Sequence, residues 1–330
     1  MLYNIIHFIH HIKQIAKKLL PNIIIDNMKR ITVINKVIYK VLVENNSESF
    51  KAYLQVDKAR HEKKFWVLPQ RTKNECVVLL NGPSLLDLKD DILAYRDNVD
   101  IVAANFYICN MLPGLTPNFY TLLDRVYVAD ATDTYYSEQQ YIIRDKFYAA
   151  INGFSEHLHL LVPYFFLERV KSRITNQKIF ISGMPTLPHP SKRPFNSKLL
   201  ENGIVGFDLG SAGLAALYVA VVAGYKKIWL AGVEMSYHKT VTIDRNCYYT
   251  RPAPLHFYDN LEAPNEPTRL PRRQTMTLDF EGMRRDFAAF EIIRDYAVEN
   301  DISIINLSLN SMLDMFPKGY IGKEPFPWKP

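Results

Sequence analysis

One pattern repeats along this chain and restricts what it can become: a short, unbroken apolar run, a polar or glycine-bearing turn, then a helical segment. Cys76-Val77-Val78-Leu79-Leu80 is such a run. It ends in Asn81-Gly82-Pro83-Ser84, and Leu85-Leu86-Asp87-Leu88 begins the helix. A run of this kind reads as a buried strand, and the turn residues as its end. Val99-Asp100-Ile101-Val102-Ala103-Ala104 ends similarly at Asn105, and Phe119-Tyr120-Thr121-Leu122-Leu123 at Asp124. Lys178-Ile179-Phe180-Ile181 is a further strand, preceded by a mixed helical stretch over about 137–174. Gly210-Ser211-Ala212-Gly213 opens a helix whose Leu214, Leu217, Tyr218 and Val221 fall at i, i+3, i+4, i+7; Gly224 ends it and Lys227-Ile228-Trp229-Leu230-Ala231-Gly232 follows as a strand. A last helix over Met283–Glu299, with Phe287, Phe290 and Ile293 inward, leads into Ile302-Ser303-Ile304-Ile305-Asn306. This alternation predicts an α/β fold with a doubly wound, mostly parallel sheet.

The 330 residues are 48% apolar and 12% aromatic, enough for a substantial core, which argues against a disordered or fibrous chain. Charge is unevenly placed. Residues 1–73 hold 14 Lys and Arg against 5 Asp and Glu, a balance of +9, whereas 74–330 hold 26 against 29, a balance of −3. We therefore read 1–73 as a basic N-terminal helical extension and 74–330 as the main domain. Ile5, Ile9, Ile12 and Leu19 form an apolar helical stripe beside Phe8 and Ile15, with Lys13, Lys17 and Lys18 clustered at its end. Such a basic amphipathic helix suits peripheral contact with an anionic membrane, or packing as an accessory helix. No run of about 18 apolar residues spans a bilayer there, and no cleavage site marks a secretion signal. The three cysteines, Cys76, Cys109 and Cys247, form neither a disulfide framework nor a zinc quartet, so a cytoplasmic location is expected. The slightly acidic core and the lack of a nucleic-acid-binding signature argue against nucleic acid as a partner.

Function should lie where strands end, because open α/β sheets bind ligands at their carboxyl edge. At the first turn, Gly82 lets the backbone approach a ligand, Pro83 sets the helix entry, and Ser84 can cap the helix or bond an anion. Neither G-x-G-x-x-G nor G-x-x-x-x-G-K-[ST] occurs in the chain. No Asp-x-Asp occurs either; Asp279-Phe280-Glu281 comes nearest and reads as charge at the start of the last helix.

The Asn81-Gly82-Pro83-Ser84 turn, Asn105-Phe106-Tyr107, and the stretch from Gly210-Ser211-Ala212-Gly213 through Gly232-Val233-Glu234 resemble the bacterial sialyltransferases of glycosyltransferase family 42. That group's wider relatives include motility accessory factor transferases and a pterin pyrophosphokinase-like branch. The resemblance covers roughly 75–310. It implies a Rossmann-like glycosyltransferase domain with a lid insertion at about 235–273. Carried over residue by residue, Asn81, Gly82, Ser84, Asn105 and Ser211 would bind a CMP-sugar donor, with Asp124 or Thr121 standing where the family has an asparagine. Asp208 stands where the family has an arginine. In the lid, Tyr237 and Tyr248 or Tyr249 would donate hydrogen bonds to the leaving phosphate, and His256 would be the base. An imidazole, whose ordinary pKa is near 6.5, suits that task. His238 is a rival base, Arg245, Arg251, Arg269, Arg272 and Arg273 make the lid basic, and His157 and His159 read as structural.

The implied activity is inverting transfer of an acidic sugar, a sialic acid or related nonulosonic or ulosonic acid, from a CMP-sugar to a glycan or lipid-linked glycan acceptor at the cell surface. It would need neither metal nor other cofactor. The competing expectations are a pterin-type diphosphotransferase using ATP and a metal, and a non-catalytic nucleotide-sugar-binding protein.

Overall fold

A computed structural model describes residues 70–130, 136–184, 211–236, 242–243, 249–250, 256–258 and 276–327. Residues 1–69 of the N-terminal extension and most of the expected lid lie outside these residues.

Seven strands form a parallel sheet: β1 (Glu75–Leu79), β2 (Val99–Ala104), β3 (Phe119–Thr121), β4 (Leu158–Pro163), β5 (Ile179–Met184), β6 (Lys227–Ala231) and β9 (Ser303–Asn306). Their spatial order is β5-β4-β3-β2-β1-β6-β9, every neighbouring pair parallel. A separate two-stranded antiparallel ribbon joins β7 (Thr242–Ile243) to β8 (Tyr249–Thr250), with Ile243 opposite Tyr249. The chain steps outward from β1 to β5, then returns to lay β6 on β1's other side. The winding therefore reverses between β1 and β6, the position where open α/β sheets form a ligand crevice.

Alternation along β1 sends side chains to two separate cores. Cys76, Val78 and Leu80 join Leu214, Leu217 and Tyr218 of α4 (Ala212–Val222) and Phe290 and Ile293 of α5 (Met276–Glu299). Val77 and Leu79 join Leu85 and Ile92 of α1 (Ser84–Ala94) and Phe147 and Ile151 of α2 (Glu138–Asn152) on the opposite face. With both faces covered, the central strands β1 and β2 have no wet side, which is why they read as continuous apolar runs rather than alternating ones. Helix α4 is buried from Leu214 to Val221 because the sheet lies on one side and α5 on the other. Among the described residues, no helix is long and apolar enough to cross a membrane.

The helical stretch expected over 137–174 is instead three elements. Ser137 caps α2 with a reciprocal Gln140 pair, Gly153 ends the helix, β4 follows, and only then comes the short α3 (Leu167–Lys171). Leu158-His159-Leu160-Leu161-Val162 is too short and too evenly buried for a surface helix, and its pairing with both β3 and β5 decides the matter. The last helix starts seven residues earlier than its periodicity indicates.

At the amino edge of the sheet, the buried carboxylate of Asp100 accepts from the Thr72 and Lys73 backbone N–H groups at 2.8 and 3.1 Å and from the Tyr225 hydroxyl at 2.7 Å. The charge is thereby solvated by protein groups, the condition under which burying it is tolerable.

His159 lies between Phe119 and Phe180, its Nε2 2.7 Å from Ser182 Oγ. Burial pushes its pKa from 6.5 down to about 4. Between those values the unfolded chain takes up a proton that the folded chain refuses, so stability is complete above pH 6.5 and falls as the pH drops toward 4. Discounted for the ring's partial exposure, the loss should be about 1–2 kcal/mol. Chemical denaturation from pH 7 to 4 should show that slope in the wild type and a shallower one in His159→Gln; equal slopes would disprove the assignment.

Candidate functional site

The crevice is built first from backbone. Beyond β1 and β6 the two chains stay paired, with Leu80 N–H donating to Ala231 O at 2.8 Å and Gly82 N–H to Gly232 O at 2.9 Å. Two glycines allow this approach. A Cβ on Gly232, whose φ is +72°, would stand 2.3 Å from Leu80 O; a Cβ on Gly82 would stand 2.6 Å from Gly232 O and 1.5 Å from Glu234 Oε2. Gly213, at the start of α4, lies equally close to the Leu80 side chain, so this helix begins directly behind the bend.

Glu234 closes the crevice from the β6 side. Its Oε1 accepts from the Ser84 backbone N–H at 2.8 Å, one of the donors left without an intrahelical partner at the start of α1. A carboxylate is also the charge that a helix start favours. Ser84 is held a second way: its Oγ lies 2.8 Å from Ser308 Oγ, which accepts from Gly232 and Val233 N–H at 3.0 and 3.1 Å. Ser308 follows β9 and is buried. The residue after Glu234, Met235, has φ +51°, and Asn105 has φ +49°. Non-glycine residues in the left-handed region carry strain that surrounding contacts must hold in place.

Asn105 shows how that is done. Its carbonyl accepts from Tyr120 OH at 2.5 Å, its Oδ1 accepts from Leu123 N–H at 3.3 Å, and its Nδ2 donates to Asp124 Oδ2 at 2.7 Å. Two of the sequence-predicted residues are thus brought together across the ends of β2 and β3. Tyr120 in turn accepts from Ile108 N–H, and burial raises its hydroxyl pKa well above the usual tyrosine value. It stays protonated and can keep donating to Asn105.

The segment His256-Phe257-Tyr258 docks on this edge. Phe257 N–H donates to Asn81 O at 2.8 Å, and its ring, buried, packs 6.0 Å from Tyr107. Tyr258 meets Phe106 edge-on at 5.7 Å, and His256 stacks on Tyr258 at 5.0 Å with the planes 4° apart. The imidazole is therefore carried by a segment fastened to the first bend and to the residues after Asn105.

Of the other expected residues, Ser211 is the N-cap of α4, its Oγ accepting from Leu214 N–H at 3.2 Å. Tyr237, Tyr248, His238, Asp208 and the lid arginines lie outside the described residues, and of Tyr249 only the backbone in β8 is described. Thr121 is fully buried, and among the described residues its Oγ1 has no hydrogen-bond partner, as is true of the buried Asn81 Oδ1. Glu234 and Ser308 went unrecognised as site residues in the sequence. Their signal was position alone: each comes two or three residues after a strand, at the same edge as Asn81 and Asn105.

A cleft of about 430 Å³ opens at the opposite, amino edge, between residues 71–75 and 95–98. Its one strand carboxylate, Glu75, already accepts from Trp229 Nε1 at 2.9 Å and Tyr95 OH at 3.3 Å. It gathers no counterpart to the bend and the imidazole, and the carboxyl edge is the stronger candidate.

No known family's sequence model matches the chain, and no curated protein matches it. Among solved structures, MAf glycosyltransferase from Magnetospirillum magneticum AMB-1 is similar over 80% of this chain and 37% of its own, at 14% identity and a TM-score of 0.44. The chain thus spans well under half the length of that protein. The sialyltransferase CstII from Campylobacter jejuni, solved with cytidine-5'-monophosphate, is similar over 75% of this chain and 85% of its own, at 13% identity and a TM-score of 0.38. The monofunctional alpha-2,3-sialyltransferase Cst-I from the same organism is similar over 79% and 86%, at 11% identity and a TM-score of 0.39.

Proposed function

We propose that this chain is an inverting, metal-independent glycosyltransferase that moves an acidic sugar from a CMP-sugar donor to a glycan acceptor. The observation that supports the reading is the 2.8 Å bond from Phe257 N–H to Asn81 O, which fastens the backbone next to His256 to a glycine bend at the sheet's switch point.

The chemistry needs a base, relief of charge on the departing phosphate, and shelter from water. In this reading the His256 imidazole takes the proton of the acceptor hydroxyl as its oxygen bonds to the anomeric carbon. The carbon–oxygen bond to phosphate breaks on the opposite face, CMP leaves, and the configuration inverts. Tyr237 and Tyr249 would donate hydrogen bonds to that phosphate, while Asn81, Gly82, Ser84, Asn105, Asp124 and Ser211 would hold the donor. The basic stretch 1–73 would keep the enzyme at the inner face of the cell membrane, near a lipid-linked acceptor.

The test is donor turnover. The protein is incubated with CMP-N-acetylneuraminic acid and a panel of other CMP-ulosonic acids in the presence of EDTA, and CMP release is followed. Release that survives the chelator is the expected result. Magnesium-dependent ATP binding with no CMP binding would overturn the proposal in favour of diphosphotransfer, and CMP binding without turnover of any donor would leave a binding protein.

A further inference from the structure

We infer that Ser308 is a positioning residue that forces the Ser84 hydroxyl to donate its hydrogen to the ligand, and that Ser84 and Glu234 together read a sugar hydroxyl of the bound nucleotide; this rests on the nucleotide-sugar reading above. A serine hydroxyl has one hydrogen to give and two lone pairs. Both lone pairs of Ser308 Oγ are taken, by Gly232 N–H at 3.0 Å and Val233 N–H at 3.1 Å. At 2.8 Å from Ser84 Oγ, Ser308 therefore gives its own hydrogen to Ser84. Ser84 is the acceptor in that bond, so its own hydrogen has no acceptor among the described residues and is left for whatever occupies the bend.

The neighbouring groups decide what that is. Ser84 N–H, the donor an anion would use at this helix start, is already held by Glu234 Oε1 at 2.8 Å. The second carboxylate oxygen lies over Gly82, within 1.5 Å of where a Cβ would be. A phosphate would meet a negative charge here and find the helix donor spent. A hydroxyl suits the place: its oxygen accepts from Ser84 while its hydrogen goes to Glu234. Ser308 is 1% exposed, so the arrangement is set from within the fold and does not depend on solvent. The phosphate then lies away from the bend, and the ribose at it.

Calorimetric titration with CMP and with 2′,3′-dideoxy-CMP tests this on wild type, Ser84→Ala, Ser308→Ala and the double variant. Each single substitution should weaken CMP binding by about tenfold, with the double no weaker than either single, because both break one relay. Binding of the dideoxy compound should change by less than about twofold, the value expected when the lost bond was to the missing hydroxyls. Equal weakening of both ligands, or additive losses in the double variant, would overturn the inference. Ser84 is only half-buried, so its variant keeps the test available if Ser308→Ala fails to fold. Should the wild type bind neither compound, the nucleotide reading fails. The relay is then judged separately by neutron diffraction of the ligand-free protein: a Ser308 deuteron directed at Ser84 sustains it, and one directed elsewhere overturns it.

Discussion

His256→Ala should lower turnover of a CMP-sugar by about 10²–10⁴-fold, the range for loss of a positioned general base. CMP affinity should stay within about twofold, because the fastening of this segment to the bend is a backbone bond from Phe257 that the substitution leaves in place. The two readouts separate a role in proton transfer from a role in packing. The ring does pack, stacking on Tyr258 with the planes 4° apart, so some local loosening is expected. His256→Phe keeps an aromatic stack without a base, and it should be as inactive as the alanine variant. Turnover near the wild-type level in either protein would remove His256 from the mechanism and return attention to His238.

Gly232→Ala should be the most damaging small substitution at the crevice, costing about 2–4 kcal/mol of stability together with nucleotide binding. Two independent penalties meet at this residue. Its φ of +72° is one that alanine adopts only with strain, and the added methyl would stand 2.3 Å from Leu80 O and 3.2 Å from Leu85 Cβ. Leu80 O is main chain of the central strand pair, so it cannot rotate aside as a side chain would. Parting the two chains would also break the Gly82 N–H bond to Gly232 O that holds the bend. Gly82→Ala shares part of this penalty: its methyl would stand 1.5 Å from Glu234 Oε2, a side-chain oxygen that can swing away, and 2.6 Å from Gly232 O, a main-chain atom that cannot. It should therefore cost stability as well as binding, without the added strain of a positive φ. A Gly232→Ala protein that unfolds within about 0.5 kcal/mol of wild type, a change typical of a neutral surface site, would refute this account.

Much of the architecture was legible because buried parallel strands advertise themselves. β2 was delimited to the residue by Val99-Asp100-Ile101-Val102-Ala103-Ala104, and β1, β6 and β9 to within one or two positions of their apolar runs. β4 was missed because its apolar run sits between two helical segments, and a short apolar stretch has no periodicity that separates strand from helix. Only its pairing with β3 and β5 identifies it. At the site, Asn81, Gly82, Ser84 and Asn105 were visible as turn residues after strands. The parts that hold them were not: Glu234 is 150 residues from Ser84 and Ser308 is 224, and nothing local to either marks the contact. Asn105 needed a left-handed backbone, which asparagine tolerates better than most residues, but the Tyr120 and Asp124 bonds that hold it are made by the fold.

The Glu234 carboxylate on the start of α1 has a bearing on affinity. Many phosphate-binding loops leave that helix end bare and depend on the incoming anion to settle it. Here an internal group does so, and the helix start is held by the chain's own bond. Binding then incurs little cost for ordering the loop, so recognition at this edge should resemble a key entering a cut lock, with any large rearrangement confined to parts of the chain beyond the sheet.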